Sequence, residues 1–86
     1  MEMGRVAKAL ADPQRCEILE RLSAGELCCS DLEAVLPLSQ ATISHHLKEL
    51  LEAGLVERRK KGSFGYYRAV PATLEAYMDA LRRRFL

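Results

Sequence analysis

LSQATISHHLKELLEAG, residues 38–54, carries the spacing of one amphipathic helix. Ile43, Leu47, Leu50 and Gly54 fall on one stripe at 100° per residue, widened by Leu51. Ser39 precedes the stripe as an N-cap, its hydroxyl placed to accept from an unpaired first-turn amide. Gly54 can take the positive φ that ends a helix. The opposite side carries Thr42, Ser44, His45, Lys48 and Glu49, with Gln40 in the first turn. Short hydrogen-bonding side chains near a helix N-terminus suit the major groove of duplex DNA. Gln pairs with adenine edges, Ser and Thr bond base or phosphate, and Thr or Ala touches a thymine methyl. An ordinary solvated helix accounts for the same face when the helix is taken alone, so the flanking segments decide.

Immediately upstream, Ser30-Asp31-Leu32-Glu33 has the form of a capping box. It predicts a helix from Ser30 to about Leu36, with Leu32, Val35 and Leu36 inward and Pro37 as its stop. Two short helices joined by so tight a turn, the second bearing the polar face, form a helix-turn-helix. Asp12-Pro13 opens an earlier helix, Asp12 as cap and Pro13 at the first position. Ile18, Leu19 and Leu22 are its apolar face and Ser23-Ala24-Gly25 ends it. Cys16 sits at the edge of that face, where a thiol behaves as a small hydrophobe. Residues 3–11 form a short helical segment with Met3, Val6, Ala7 and Leu10 on one side, too short to stand alone.

Beyond Gly54 the period changes. Residues 55–60 (LVERRK) and 64–70 (FGYYRAV) read as two strands joined at Lys61-Gly62-Ser63. Arg58, Arg59, Lys60 and Lys61 are consecutive. Such a run in a hairpin that merely covered a core would repel itself without gain. Beside a recognition helix it forms a wing whose cations neutralise phosphates. Pro71 opens a last helix in which Leu74, Tyr77, Met78, Leu81 and Phe85 make a stripe. Arg82, Arg83 and Arg84 lie where cations complement the helix dipole.

That last stripe is longer than so small a core uses. It predicts a two-fold dimer interface from Val6 and Leu10 of the first segment with Leu74, Tyr77, Met78, Leu81 and Phe85. Two subunits so paired present recognition helices one DNA turn, ~34 Å, apart to an inverted repeat. The expected fold is mainly α with a small β-hairpin, in the order α-α-α-α-β-β-α. It forms one winged helix-turn-helix domain over residues 1–86.

Composition sets the outer bounds. A chain of 86 residues buries a modest fraction of its surface, which favours a partner subunit. Hydrophobic content of 49% and charged content of 29% are those of a soluble globular domain, and no apolar run approaches a bilayer span. MEMGRVAKAL lacks the apolar core and cleavage site of a secretory signal, so a cytoplasmic location is expected. There Cys16, Cys28 and Cys29 stay reduced, and an odd number argues against a closed set of disulfides. Net charge is only +1, yet residues 1–44 hold four basic and seven acidic groups while residues 45–86 hold nine and five. Cations thus concentrate where the polar helix and hairpin lie. No acid–base pair, phosphate loop or hydrolase-like metal spacing stands out, so an enzyme is not expected. The rival binding function is a module that docks on protein through its hairpin. The polar face over residues 40–48 separates the two, since DNA reading needs it.

Taken in order, several segments resemble the ArsR/SmtB winged-helix repressors. They are Leu10-Ala11-Asp12-Pro13-Gln14-Arg15, Glu26-Leu27-Cys28, the run from Leu38 to Val56, and Tyr66-Tyr67-Arg68. The match covers nearly the whole chain, and the 38–56 run is its specific part. The resemblance implies a homodimeric transcriptional repressor that sits on double-stranded operator DNA and leaves it when an inducer binds. It places the DNA-reading helix on residues 39–53 and the dimer helices on the first and last segments. The residues expected to meet DNA are Ser39, Gln40, Thr42, Ser44, His45, Lys48, Arg58, Arg59, Lys60 and Lys61.

Many such repressors sense metals or metalloids, and here the chain departs from the pattern. The arsenic- and antimony-sensing motif reads Glu-Leu-Cys-Val-Cys-Asp-Leu, against ELCCSDL at residues 26–32. Cys28 matches, Ser30 stands at the second cysteine, and Cys29 lies between. The zinc site that other members build on the last helix needs Asp, His and Glu. Residues 71–86 contain no His, and Pro71 and Thr73 occupy ligand positions, so that site is discarded. Three readings of the thiols stay open. One is a thiolate site for trivalent arsenic, antimony or a soft metal ion on Cys28 and Cys29, with Cys16 as a third sulfur. Another is a redox or reactive-sulfur switch on the same cysteines. The third is structural cysteines with another inducer or none. Adjacent helical residues project about 100° apart, so His45 and His46 are not expected to share a metal. His45 faces DNA, and His46 packs at the edge of the stripe.

Overall fold

Three of the five helices in this chain start where a carboxylate or hydroxyl takes up free amides. In the computed structural model, which describes residues 1–86, Glu2 accepts from Gly4 N at 2.8 Å and opens α1 (Met3–Leu10). Asp12 accepts from Gln14 N at 2.8 Å and Arg15 N at 3.2 Å to open α2 (Pro13–Ala24), with Pro13 in the first turn. Ser39 accepts from Thr42 N at 3.2 Å to open α4 (Gln40–Glu52), and Gly54, at φ +74°, follows its end. Pro71 begins α5 (Pro71–Phe85).

The third helix corrects the expected boundary. α3 spans Cys29–Val35, and its N-cap is Cys28 rather than Ser30. Asp31 accepts from Cys28 N at 3.0 Å, while the Ser30 hydroxyl lies 3.1 Å from the Cys28 sulfur. The amide and thiol of Cys28 hold the Asp31 carboxyl below its ordinary value. The displaced cap, at Cys28 rather than Ser30, accompanies a long-range pairing. Leu27 and Cys28 form a short strand, β1, that pairs antiparallel with Tyr67 and Tyr66. The hairpin itself is β2 (Val56–Lys61) and β3 (Phe64–Ala69), in register from Val56 opposite Ala69 to Lys61 opposite Phe64. The sheet order is β1-β3-β2, and the element order is α-α-β-α-α-β-β-α, one strand more than expected.

The core gathers one side of nearly every element. Val6 and Ala9 of α1, Ile18 and Leu22 of α2, Leu32 of α3, and Ile43, Leu47 and Leu50 of α4 meet Leu55 and Val56 at the foot of the hairpin. Burying each of the larger aliphatic side chains contributes about 1.5–3 kcal/mol. Leu51 is half-buried beside the stripe. Val6 is fully buried inside the single chain, which corrects its assignment to a dimer face: α1 lies against α2 and α4 and turns Val6 inward. Leu10, Leu74 and Tyr77 are half-buried against the core. Leu81 is half-buried, and Met78 and Phe85 stand exposed on α5. No helix is long and apolar enough to cross a membrane.

Candidate nucleic-acid interface

The two sides of α4 differ sharply. Ile43, His46, Leu47 and Leu50 are buried, and Gln40, Ser44, His45 and Lys48 are exposed. Ser39 and Thr42 belong to the cap. The Ser39 hydroxyl donates to Thr42 Oγ1 at 2.9 Å while accepting from the Thr42 amide. Thr42 is half-buried, and its hydroxyl oxygen accepts in that contact. Lys48 enters no ion pair, so its charge is available to a partner.

His46 anchors this helix from behind. It is 5% exposed. Its Nε2 lies 2.9 Å from Gln14 Oε1, and its Nδ1 lies 3.4 Å from the Arg15 guanidinium. Arg15 can only donate, so Nδ1 accepts and the ring proton sits on Nε2, donated to Gln14. Arg15 also donates to the carbonyls of Ala9 (2.8 Å) and Lys8 (3.0 Å), closing the end of α1. One guanidinium thereby ties α1, α2 and α4 together. Neither Gln14 nor Arg15 was expected at the site. Both lie in the stretch that carried the family resemblance, but no spacing pairs them with residue 46.

A pH dependence follows from that packing. Burial pulls the His46 imidazole below its ordinary value of 6.5, the nearby Arg15 charge adds to this, and Asp12 opposes it. The unfolded chain therefore takes up the proton first. The contribution of His46 is fully present above about pH 6.5 and is lost as pH falls through the folded-state value. Thermal midpoints followed downward from pH 7.5 are expected to fall more steeply in wild type than in His46→Gln. Parallel curves would contradict it.

The hairpin's cations divide into two sets. Arg59 donates to both carboxylate oxygens of Glu26, at 2.5 and 3.2 Å, and Arg68 pairs with Glu57 across the hairpin. The pairing holds the Glu26 carboxyl low and raises the Arg59 guanidinium. Arg59 was expected to face phosphate. Its charge is already matched, because β1 pairs with β3 and brings Glu26 within reach of Arg59 across that strand. Arg58, Lys60 and Lys61 form no ion pair, and the Lys61 ammonium lies 6.0 Å from the Tyr66 ring centroid.

The three cysteines are free thiols in different settings. Cys16 is half-buried and donates to Leu10 O at 3.1 Å. Cys28 is buried against Ser30, and the half-buried Cys29 sulfur lies 3.7 Å from Ser44 Oγ on α4. No three His, Cys, Asp or Glu side chains come together as a group that could hold a metal ion. A third sulfur from Cys16 required the fold to bring it near, and Cys16 instead bonds Leu10 O at the α1–α2 junction, away from the β1–α3 corner.

Comparison with known proteins agrees with this architecture. Residues 12–58 match the family described as bacterial regulatory protein, arsR family. The arsenical resistance operon repressor of Staphylococcus xylosus is 47% identical over 66 residues, which are 77% of this chain and 64% of that protein. The chain thus spans less than two thirds of that relative's length. An ArsR-like transcriptional regulator from Rhodococcus sp. RHA1 superposes with a TM-score of 0.89 at 38% identity, over 94% of this chain and 76% of that one. A homodimeric winged helix-turn-helix DNA-binding domain from Mycobacterium bovis superposes with a TM-score of 0.79 at 30% identity, over 96% and 80%.

Proposed function

The chain belongs to the arsR family of bacterial regulatory proteins, and on that premise we propose that it is a homodimeric repressor holding operator DNA until an inducer reaches its thiols. The observation that carries this reading is the split face of α4, buried along Ile43, Leu47 and Leu50 and open along Gln40, Ser44, His45 and Lys48. Gln40, Ser44 and His45 read base edges, and Thr42 donates its hydroxyl proton. Lys48, Arg58, Lys60 and Lys61 meet phosphates, while Ser39 sets the first turn. Met78 and Phe85, with Leu10, Leu74, Tyr77 and Leu81, form the surface that the second subunit covers. The homodimer of the Mycobacterium bovis relative supports that pairing.

Fluorescence anisotropy on a duplex selected by the protein from a random-sequence pool tests the reading. The logarithm of affinity is expected to fall linearly with the logarithm of salt, by about 0.9 per phosphate neutralised. A flat dependence would favour docking on protein through the hairpin instead.

The inducer is assigned by class as a soft, thiol-seeking species acting at Cys28 and Cys29. The arsenical resistance role of the Staphylococcus xylosus relative supports the class. So does the Cys29 sulfur resting against Ser44, since chemistry at that sulfur disturbs the reading face directly. Cys16 has no part in this proposal, and a three-thiolate cluster does not fit the residues as they stand. Arsenite or Cd²⁺ added to the reduced protein on its duplex is expected to release the DNA. Cys28→Ser and Cys29→Ser are each expected to raise the concentration needed by about tenfold or more, as soft ions lose their preferred ligand. Unchanged release in both variants would remove these thiols from sensing. Release by oxidant alone would turn the assignment to a redox switch.

A further inference from the structure

Gly65 sits inside β3 without the usual reasons for glycine. Its φ is not positive, unlike those of Gly54 and Gly62, so the backbone does not demand it. A strand interior disfavours it. The space its missing side chain leaves is filled. A Cβ at residue 65 would fall 2.5 Å from Nε and Nη2 of Arg58 and 2.7 Å from its Cζ. Arg58 and Gly65 lie on one face of the hairpin, because Arg58 is opposite Tyr67 and Lys60 is opposite Gly65. The guanidinium therefore lies against bare backbone, close to the hairpin tip. Unlike Arg59 and Arg68, it has no carboxylate partner.

We propose that Gly65 is a positioning residue that seats the Arg58 guanidinium as a preformed, planar clamp for a DNA backbone phosphate. This rests on the DNA-binding reading above. A guanidinium offers paired donors to a phosphate in a fixed plane. Holding it in place beforehand removes the rotamer entropy that a free arginine loses on binding. The glycine is thus the complement of the arginine: any larger side chain displaces the planar group while leaving the strand intact.

The experiment is a double-mutant cycle on the full chain with the pool-selected duplex. Gly65→Ala is expected to weaken binding roughly three- to tenfold and to lower the salt slope by about 0.9 for each phosphate lost. Arg58→Lys, which keeps the charge without the plane, is expected to weaken binding as Gly65→Ala does. In an Arg58→Ala background, Gly65→Ala is expected to change neither affinity nor slope. The thermal midpoint of Gly65→Ala stays at or above that of wild type. An unchanged affinity in Gly65→Ala, or an equal loss in the Arg58→Ala background, overturns the proposal. The ¹⁵Nε resonance of Arg58 reads the seat without DNA. It is expected to be distinct and slowly exchanging in wild type and averaged in Gly65→Ala, and averaging in wild type overturns the seat. A missing salt slope in wild type beside a distinct Arg58 resonance strikes the DNA reading instead.

Discussion

Leu47→Ala is expected to cost about 2–5 kcal/mol of folding stability. Leu47 is 1% exposed on the inner side of α4, among Ile43, Leu50, Leu32 and the other core residues. Truncation there removes apolar contact and opens a cavity between packed helices that relax only in part. Domains of this size have roughly 5–15 kcal/mol in total, and each kilocalorie moves the thermal midpoint by about 4–8 °C. The midpoint should therefore drop by roughly 10 °C or more, measured by circular dichroism. DNA binding at physiological temperature should weaken with it, because the proposed reading face rides on the same helix. Leu47→Met, which nearly conserves volume, should cost less than about 1.5 kcal/mol. A Leu47→Ala loss below about 1 kcal/mol would mean that α4 is not seated as described.

His45→Glu is the complementary experiment, since it should leave the fold alone and remove the function. His45 is exposed on α4, one residue from the buried His46, so the new carboxylate stays in water and stability should change by about 0.5 kcal/mol or less. In the proposed placement in the major groove, that carboxylate faces phosphates and base acceptors. Like-charge juxtaposition at an interface costs several kcal/mol, and each 1.4 kcal/mol is about tenfold in affinity. Duplex binding should weaken by roughly 10²-fold or more while the melting curve is unchanged. An unaffected affinity would take residue 45 out of the interface.

Local signals made much of this legible. Ser39, the Ile43–Leu47–Leu50 stripe and Gly54 define α4 through contacts within a few residues, and the structure returns the same helix. The hairpin followed from a change of period and a glycine-centred turn. What stayed hidden depends on partners far along the chain. β1 is two residues long and exists because β3 accepts it, and that pairing accompanies an α3 cap at Cys28 rather than Ser30. Glu26 and Arg59 are separated by 33 residues, and Arg15 and His46 by 31, so no periodicity couples them. Val6 reads as one of an apolar side, but a helix of eight residues does not declare which neighbour that side meets. In the same way Gly65 reads as an ordinary weak point in a strand until the Arg58 side chain is seen lying in its place.

Methylation protection of guanine N7 on the selected duplex tests the whole account most directly, because it reads major-groove occupancy base by base. Two symmetric protected patches, centred about one helical turn or ~34 Å apart, are the expected result for paired α4 helices in successive grooves. A single patch, or bound protein with no major-groove protection at all, would contradict it.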